Sequence, residues 1–208
     1  MDYITLAIAT GRTSKQAMEL LEESGISFPD YHKKTRKLVI YDENKTIKLI
    51  FVKTADLSTY VEKGAADIGV IGKDTIMEEQ PDVYELLDLN LGKCQLAVAG
   101  FPNEKLQKGA PLIVATKYPL ITKSFFDEKG IRIETIKLNG SVELAPLIGL
   151  SDVIVDIVET GTTLNENGLV MLDKVFDISA RLIVNKASFA TKTEQINQFI
   201  AKLKAVLE

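Results

Sequence analysis

The stretch from Ser151 to Leu169, SDVIVDIVETGTTLNENGL, gathers the side chains best suited to chemistry. Asp156 follows the apolar run Val153-Ile154-Val155, and Thr160-Gly161-Thr162-Thr163-Leu164 comes soon after. A strand over residues 152–156 would deliver Asp156 to its carboxyl end, which is where open α/β sheets bind ligands. A turn with a glycine and threonines can aim backbone N–H groups and hydroxyls at one phosphate. Glycine there lets the backbone approach the anion closely. A carboxylate repels that anion, so the natural partner of Asp156 is a pair of sugar hydroxyls. The pattern asks for a ribose 5-phosphate. A blander reading competes, because Thr163-Leu164-Asn165-Glu166 also has the spacing of a helix capping box. Asn167-Gly168 would end such a helix within about one turn, where a cap stabilises little. Short Thr/Gly strings also recur by chance.

The elements that must hold these residues alternate along the chain. Tyr3–Ala9 reads as a first strand. Thr13-Ser14-Lys15-Gln16 has capping-box spacing before a helix with an Ala17, Leu20, Leu21 stripe. Lys37–Tyr41 and Thr46–Lys53 read as two strands joined by a tight turn, and Asp56 as the cap of a second helix. Strands follow at 68–71, 84–89, 95–99, 112–115, 131–137 and 152–156, with helices from Asp74, over 121–129 and from Val142. The tail reads as two strands, 169–176 and 181–185, then one amphipathic helix through Ile196, Phe199, Ile200, Leu203 and Leu207. This is an α/β pattern, expected to be mostly parallel within each half. No Gly/Ser- or Pro-rich linker separates the halves, so two lobes would be joined by crossing strands, 89–96 outward and 178–183 back. Domain I would be 1–90 plus 180–208 and domain II 91–179, with a cleft between them for a ligand.

Composition narrows the function classes. The chain has 208 residues, with 25 Lys+Arg against 29 Asp+Glu, 46% hydrophobic and 26% charged. Those shares are globular and exclude a disordered or collagen-like chain. A net charge of −4 argues against bulk nucleic-acid binding, yet permits a local basic pocket for small phosphates. The single cysteine, Cys94, forms no internal disulfide and suits a reducing cytoplasm. No basic leader precedes the first strand, and no apolar run reaches the roughly 18 residues of a membrane helix. The lone histidine, His32, lies in a polar run and reads as a solvated surface residue.

Glu143, Gly149, Ser151, Ile154, Asp156, Ile157, Thr160, Gly161, Thr163 and Leu164 meet every spacing of a known signature. On these residues the chain resembles the ATP phosphoribosyltransferase family. Strings of similar character are ATKYPLIT, LNGSVELAPLIGL, YVEKGAADIGVIGKD and LLDLNLGKCQLAVAG, so the likeness covers nearly the whole chain. The resemblance implies a two-lobed α/β fold of the type II periplasmic-binding-protein kind, and condensation of ATP with 5-phosphoribosyl 1-pyrophosphate. It implies Mg²⁺ held mainly by substrate phosphates, with no dedicated general base. Asp156 would hold the ribose hydroxyls, and Thr160, Gly161, Thr162 and Thr163 would cradle the 5-phosphate, with Leu164 also among the residues that bind the donor.

Glu143 would orient that loop or a hydroxyl, although a glutamate at a helix N-terminus explains it equally well. Arg12, in a Gly-Arg pair after the first strand, would meet the nucleotide phosphates. Lys53 and Lys117 are further candidates, each as readable as a solvated lysine, and Gly72 and Asp74 would shape the opposite wall. Thr10 stands where many relatives carry lysine, and Ala55 and Ser58 where they often carry proline. The length resembles the short form, which works in a hetero-oligomer with a regulatory subunit similar to the histidyl-tRNA synthetase catalytic core. Rival readings are a phosphoribosyltransferase for another base, a solute-binding module, and a regulatory subunit that has lost catalysis.

Overall fold

β-Branched and aliphatic runs between glycine-terminated helices build two mixed sheets, each closed by its own helices. The computed structural model describes residues 3–32, 37–106 and 109–207. The chain divides into two compact units, one of residues 1–92 with 179–208 and the other of residues 93–178.

The first unit opens with β1 (Ile4–Ala9), α1 (Arg12–Glu23), β2 (Val39–Tyr41), β3 (Ile47–Val52), α2 (Thr54–Glu62), β4 (Ile68–Gly72) and α3 (Lys73–Glu79). β5 (Val83–Asp88) precedes the second unit, which contains β6 (Cys94–Gly100), β7 (Leu112–Thr116), α4 (Pro119–Glu128), β8 (Ile133–Lys137) and α5 (Leu144–Leu147). β9 (Val153–Val158), α6 (Thr162–Glu166) and β10 (Val170–Ile178) complete that unit. The chain then returns to the first through β11 (Ala180–Asn185), α7 (Lys186–Thr191) and α8 (Thr193–Leu207).

The first sheet has six strands in the order β2-β3-β1-β4-β11-β5, the second five in the order β10-β6-β9-β7-β8. Pairing is not mostly parallel as the alternation suggested. β1 runs parallel to β3 and β4, and β7 parallel to β8 and β9. The remaining pairs, β2–β3, β4–β11, β5–β11, β6–β9 and β6–β10, are antiparallel. β3 and β4, β7 and β8, and β8 and β9, each joined through a helix, run in the same direction, whereas β1 and β2, joined through α1, run oppositely. β11 follows the second unit in sequence and runs antiparallel to both its neighbours, β4 and β5.

In the first unit, Leu20, Leu21 and Met18 of α1 and Ile196, Phe199 and Leu203 of α8 are buried in one core against Leu6, Ile8, Leu49 and Leu182. Leu57 and Val61 of α2 cover the opposite face with Ala7, Ile71 and Ile183. The second unit is also filled on both faces, by Leu96, Val98, Phe126 and Val155 on one and Ala97, Ala99, Ile154, Leu164 and Leu169 on the other.

Several local expectations change. α1 begins at Arg12 after Gly11, with no side-chain cap. Gln16, assigned to a capping box, instead accepts the Gly92 N–H at 2.9 Å. α2 begins at Thr54, so Asp56 lies within its first turn rather than capping it. The tail helix is two helices, because the Asn185 side chain accepts the Ser188 N–H and starts α7 before α8. No described helix is long and apolar enough to cross a membrane.

Candidate functional site

β9 is the middle strand of the second sheet, flanked by β6 and β7. It runs two residues past the expected end at Asp156, because β6 continues to pair with it as far as Gln95 opposite Val158. Asp156 is therefore inside the ladder on the β6 side, opposite Ala97. On the β7 side parallel pairing stops at Thr116 opposite Val155, so Asp156 is the first residue beyond it. Alternation along the strand places Asp156 on the face of Ile154 and Val158. On that face β6 places Ala97 opposite Asp156 and Ala99 opposite Ile154. Two methyl groups where larger side chains could stand leave space in front of the carboxylate.

That space is a pocket of about 220 Å³. Ala97, Ala99 and Ile154 form its floor, Asp156 through Leu164 its rim, and Glu143 borders it from the start of α5. Gly161 turns the rim with φ +75°, a left-handed conformation that costs other residues strain. A Cβ there would meet only Val158, at 4.0 Å, so conformation rather than crowding selects the glycine. Thr160 and Thr162 bring their hydroxyls to 2.9 Å from each other, and the Thr162 N–H points at Thr160 Oγ1 at 3.4 Å. Their side chains and that of Thr163 are exposed, while Leu164 is buried and pins the loop to the sheet. α6 exists, but it is capped by Gly161 with no side-chain bond, so Thr163 is not the capping residue of the blander reading. Glu143 precedes α5 and likewise makes no cap hydrogen bond.

All seven residues assigned to the phosphoribosyl group, Glu143, Asp156, Thr160, Gly161, Thr162, Thr163 and Leu164, line this one pocket. The sequence did not single out Glu159, which lines the same pocket, or the paired alanines. Glu159 lies between two singled-out residues, but nothing in its type distinguished it from a surface acid. The small-residue alternation Ala97, Ala99 on an otherwise apolar strand was the available signal for the floor.

The other candidates are elsewhere. β3, β1 and β4 are adjacent and parallel, and Lys53, Arg12 and Gly72 lie at or just beyond their carboxyl ends. The side chain of Arg12 falls outside the described residues. Lys53 is exposed at the start of α2. A Cβ at Gly72 would overlap Oδ1 of Asp74, which is buried in the first turn of α3, so that carboxylate would have to shift. Lys117 is an exposed lysine just after β7, 5.6 Å from the Tyr118 ring centre. His32 is exposed, and Cys94 is half-buried against the core of the second unit. Among the described residues, no three His, Cys, Asp or Glu side chains form a metal-binding group.

The family model for ATP phosphoribosyltransferase (HisG) matches residues 53–205. A relative of that name from Oceanobacillus iheyensis is 50% identical over 207 residues, covering 100% of both chains. One from Clostridioides difficile is 53% identical over 201 residues, covering 96% of each. Among solved structures, an ATP phosphoribosyl transferase (HisG:HisZ) complex from Thermotoga maritima matches with TM-score 0.82 and 35% identity, over 98% of each chain. The two mixed sheets are those of a two-lobed α/β fold of the type II periplasmic-binding-protein kind. On these matches the chain belongs to the ATP phosphoribosyltransferase family, which catalyses the first step of histidine biosynthesis.

Proposed function

We propose that the pocket beside Asp156 holds the phosphoribosyl donor, 5-phosphoribosyl 1-pyrophosphate, for transfer to N1 of the adenine of ATP. The observation that carries this reading is the convergence of Glu143, Asp156 and residues 160–164 on one space. Backbone N–H groups and threonine hydroxyls of the rim suit the 5-phosphate. Three bordering carboxylates, Glu143, Asp156 and Glu159, would repel a phosphate, so they suit the ribose hydroxyls and a bound cation.

In the transfer, the bond from the ribosyl carbon to pyrophosphate breaks and a bond from that carbon to adenine N1 forms. N1 already carries a lone pair, so no base has to remove a proton first. What remains is to align two polyanions and to stabilise positive charge on the ribose and negative charge on the leaving group. The pocket carboxylates face the first demand of charge. Lysine and arginine side chains suit the second, and Arg12, Lys53 and Lys117 are the candidates, with Gly72 and Asp74 shaping the nucleotide wall.

The family works with a divalent metal ion, and Mg²⁺ is the ion proposed here. Magnesium is usually held by one or two carboxylates with substrate phosphates and water rather than by an all-protein cage. The donor set fits that habit, since Glu143, Asp156 or Glu159 can each supply an oxygen. When bound, the ion supplies charge neutralisation at the pyrophosphate.

The match to the HisG:HisZ complex chain supports a hetero-oligomer with a regulatory subunit resembling the histidyl-tRNA synthetase core, through which histidine feedback would act. A cytoplasmic location belongs to the same reading. The test mixes this chain and that partner with ATP, the donor and Mg²⁺, and follows the absorbance of phosphoribosyl-ATP. Product with another base and none with ATP would overturn it.

A further inference from the structure

The parallel ladder between β7 and β9 pairs Val114 with Val153, Ala115 with Ile154 and Thr116 with Val155, and there it ends. β9 continues into Asp156, while the strand beside it, β7, leaves through Lys117 towards α4. Thr116 stands at the fork and is fully buried. Its hydroxyl donates to the Val155 carbonyl at 2.7 Å. It accepts the Tyr118 N–H at 2.9 Å and the hydroxyl of Thr122, itself fully buried, at 3.3 Å. A threonine hydroxyl has one proton and two lone pairs, so every bond it can make is made.

Valine would fill the same volume without a polar group to desolvate, so packing alone does not account for a hydroxyl here. What the three bonds fix is geometry. The held carbonyl belongs to the peptide that joins Val155 to Asp156, on the edge of β9 where β7 stops pairing and β6 still pairs. The Tyr118 bond closes a turn around Lys117. One buried oxygen thus ties together two segments that backbone pairing no longer joins.

We infer that Thr116 is a positioning residue for the phosphoribosyl donor, its hydroxyl aligning Asp156 and the Lys117 turn on one shared oxygen. This rests on the reading that Asp156 holds the ribose hydroxyls. The test uses the full chain in its active assembly, with calorimetric affinity for 5-phosphoribosyl 1-pyrophosphate, kcat and KM for each substrate, and thermal midpoint. Thr116→Val should weaken donor affinity about tenfold or more, since a small misplacement of a binding group is costly. Thr116→Ser, which keeps the hydroxyl, should restore it.

In an Asp156→Asn background, Thr116→Val should change donor affinity by less than about twofold, the signature of two residues acting as one. Full additivity there, or Thr116→Val lowering only the thermal midpoint, would overturn the inference. An Asp156→Asn variant with unchanged donor affinity would instead sink the donor-site reading itself. If Thr116→Val does not fold, Thr116→Cys replaces it. If neither folds, the hydroxyl is a folding determinant only and the inference falls.

Discussion

Asp156 is beside a loop suited to an anion while carrying the anion's own charge. The conflict is resolved if its partners are hydroxyls. Two charge-assisted hydrogen bonds at roughly 1.5 kcal/mol each correspond to about 100-fold in affinity. Asp156→Asn should therefore lower kcat/KM for the donor by about 100-fold, whereas Cys94→Ser should change it by no more than about threefold. Steady-state rates with varied donor decide this, and comparable losses in the two variants would mean the donor lies elsewhere. Gly161 makes a different demand. With φ +75° and open space around it, Gly161→Ala should cost about 1–2 kcal/mol of stability by urea denaturation and raise the donor KM. The reason for this glycine was only half legible in the sequence. The string TGTT marked a special turn, but only the backbone angle separates strain from crowding.

At the scale of elements, apolar runs and terminal glycines exposed most strands and helices, because each run has to bury itself locally. Helix starts were less legible, because they depend on partners distant in sequence. Gln16 bonds the Gly92 N–H across 76 positions, which no local spacing reveals. Asn185 is the fullest case. Its oxygen accepts the Ser188 N–H, and its nitrogen donates to the Val61 and Glu62 carbonyls at 2.9 and 3.1 Å, closing the end of α2 as it opens α7. One buried amide thus serves two helices. Asn185→Ala should cost about 2 kcal/mol, more than an exposed cap, with the loss read as a lower urea midpoint at an unchanged slope. The site showed the same limit. Glu143, Asp156 and the threonine loop are marked by one signature spacing and could be read, whereas Ala97 and Ala99 join them only through strand order.

For the whole molecule, the chain leaves the first unit after residue 92 and returns at residue 179. The second unit begins and ends on paired strands, Cys94 opposite Ile178, and carries its own core on both sheet faces. A fragment of residues 93–178 should fold cooperatively, bind the donor and show no transferase activity. Circular dichroism melting and calorimetry check the first two points, and a non-cooperative melt would contradict the autonomy of that unit. The first unit has no such independence, because β11 lies between β4 and β5 in its sheet. On the ribosome, the segment up to residue 92 emerges with β4 and β5 separated by a missing neighbour. At about 5–20 residues per second, the strand that fills the gap arrives on the order of ten seconds later. Throughout that interval the nascent chain exposes two unpaired strand edges. Holding chaperones and proteases would therefore meet the amino-terminal half first, although it is the half synthesised earliest.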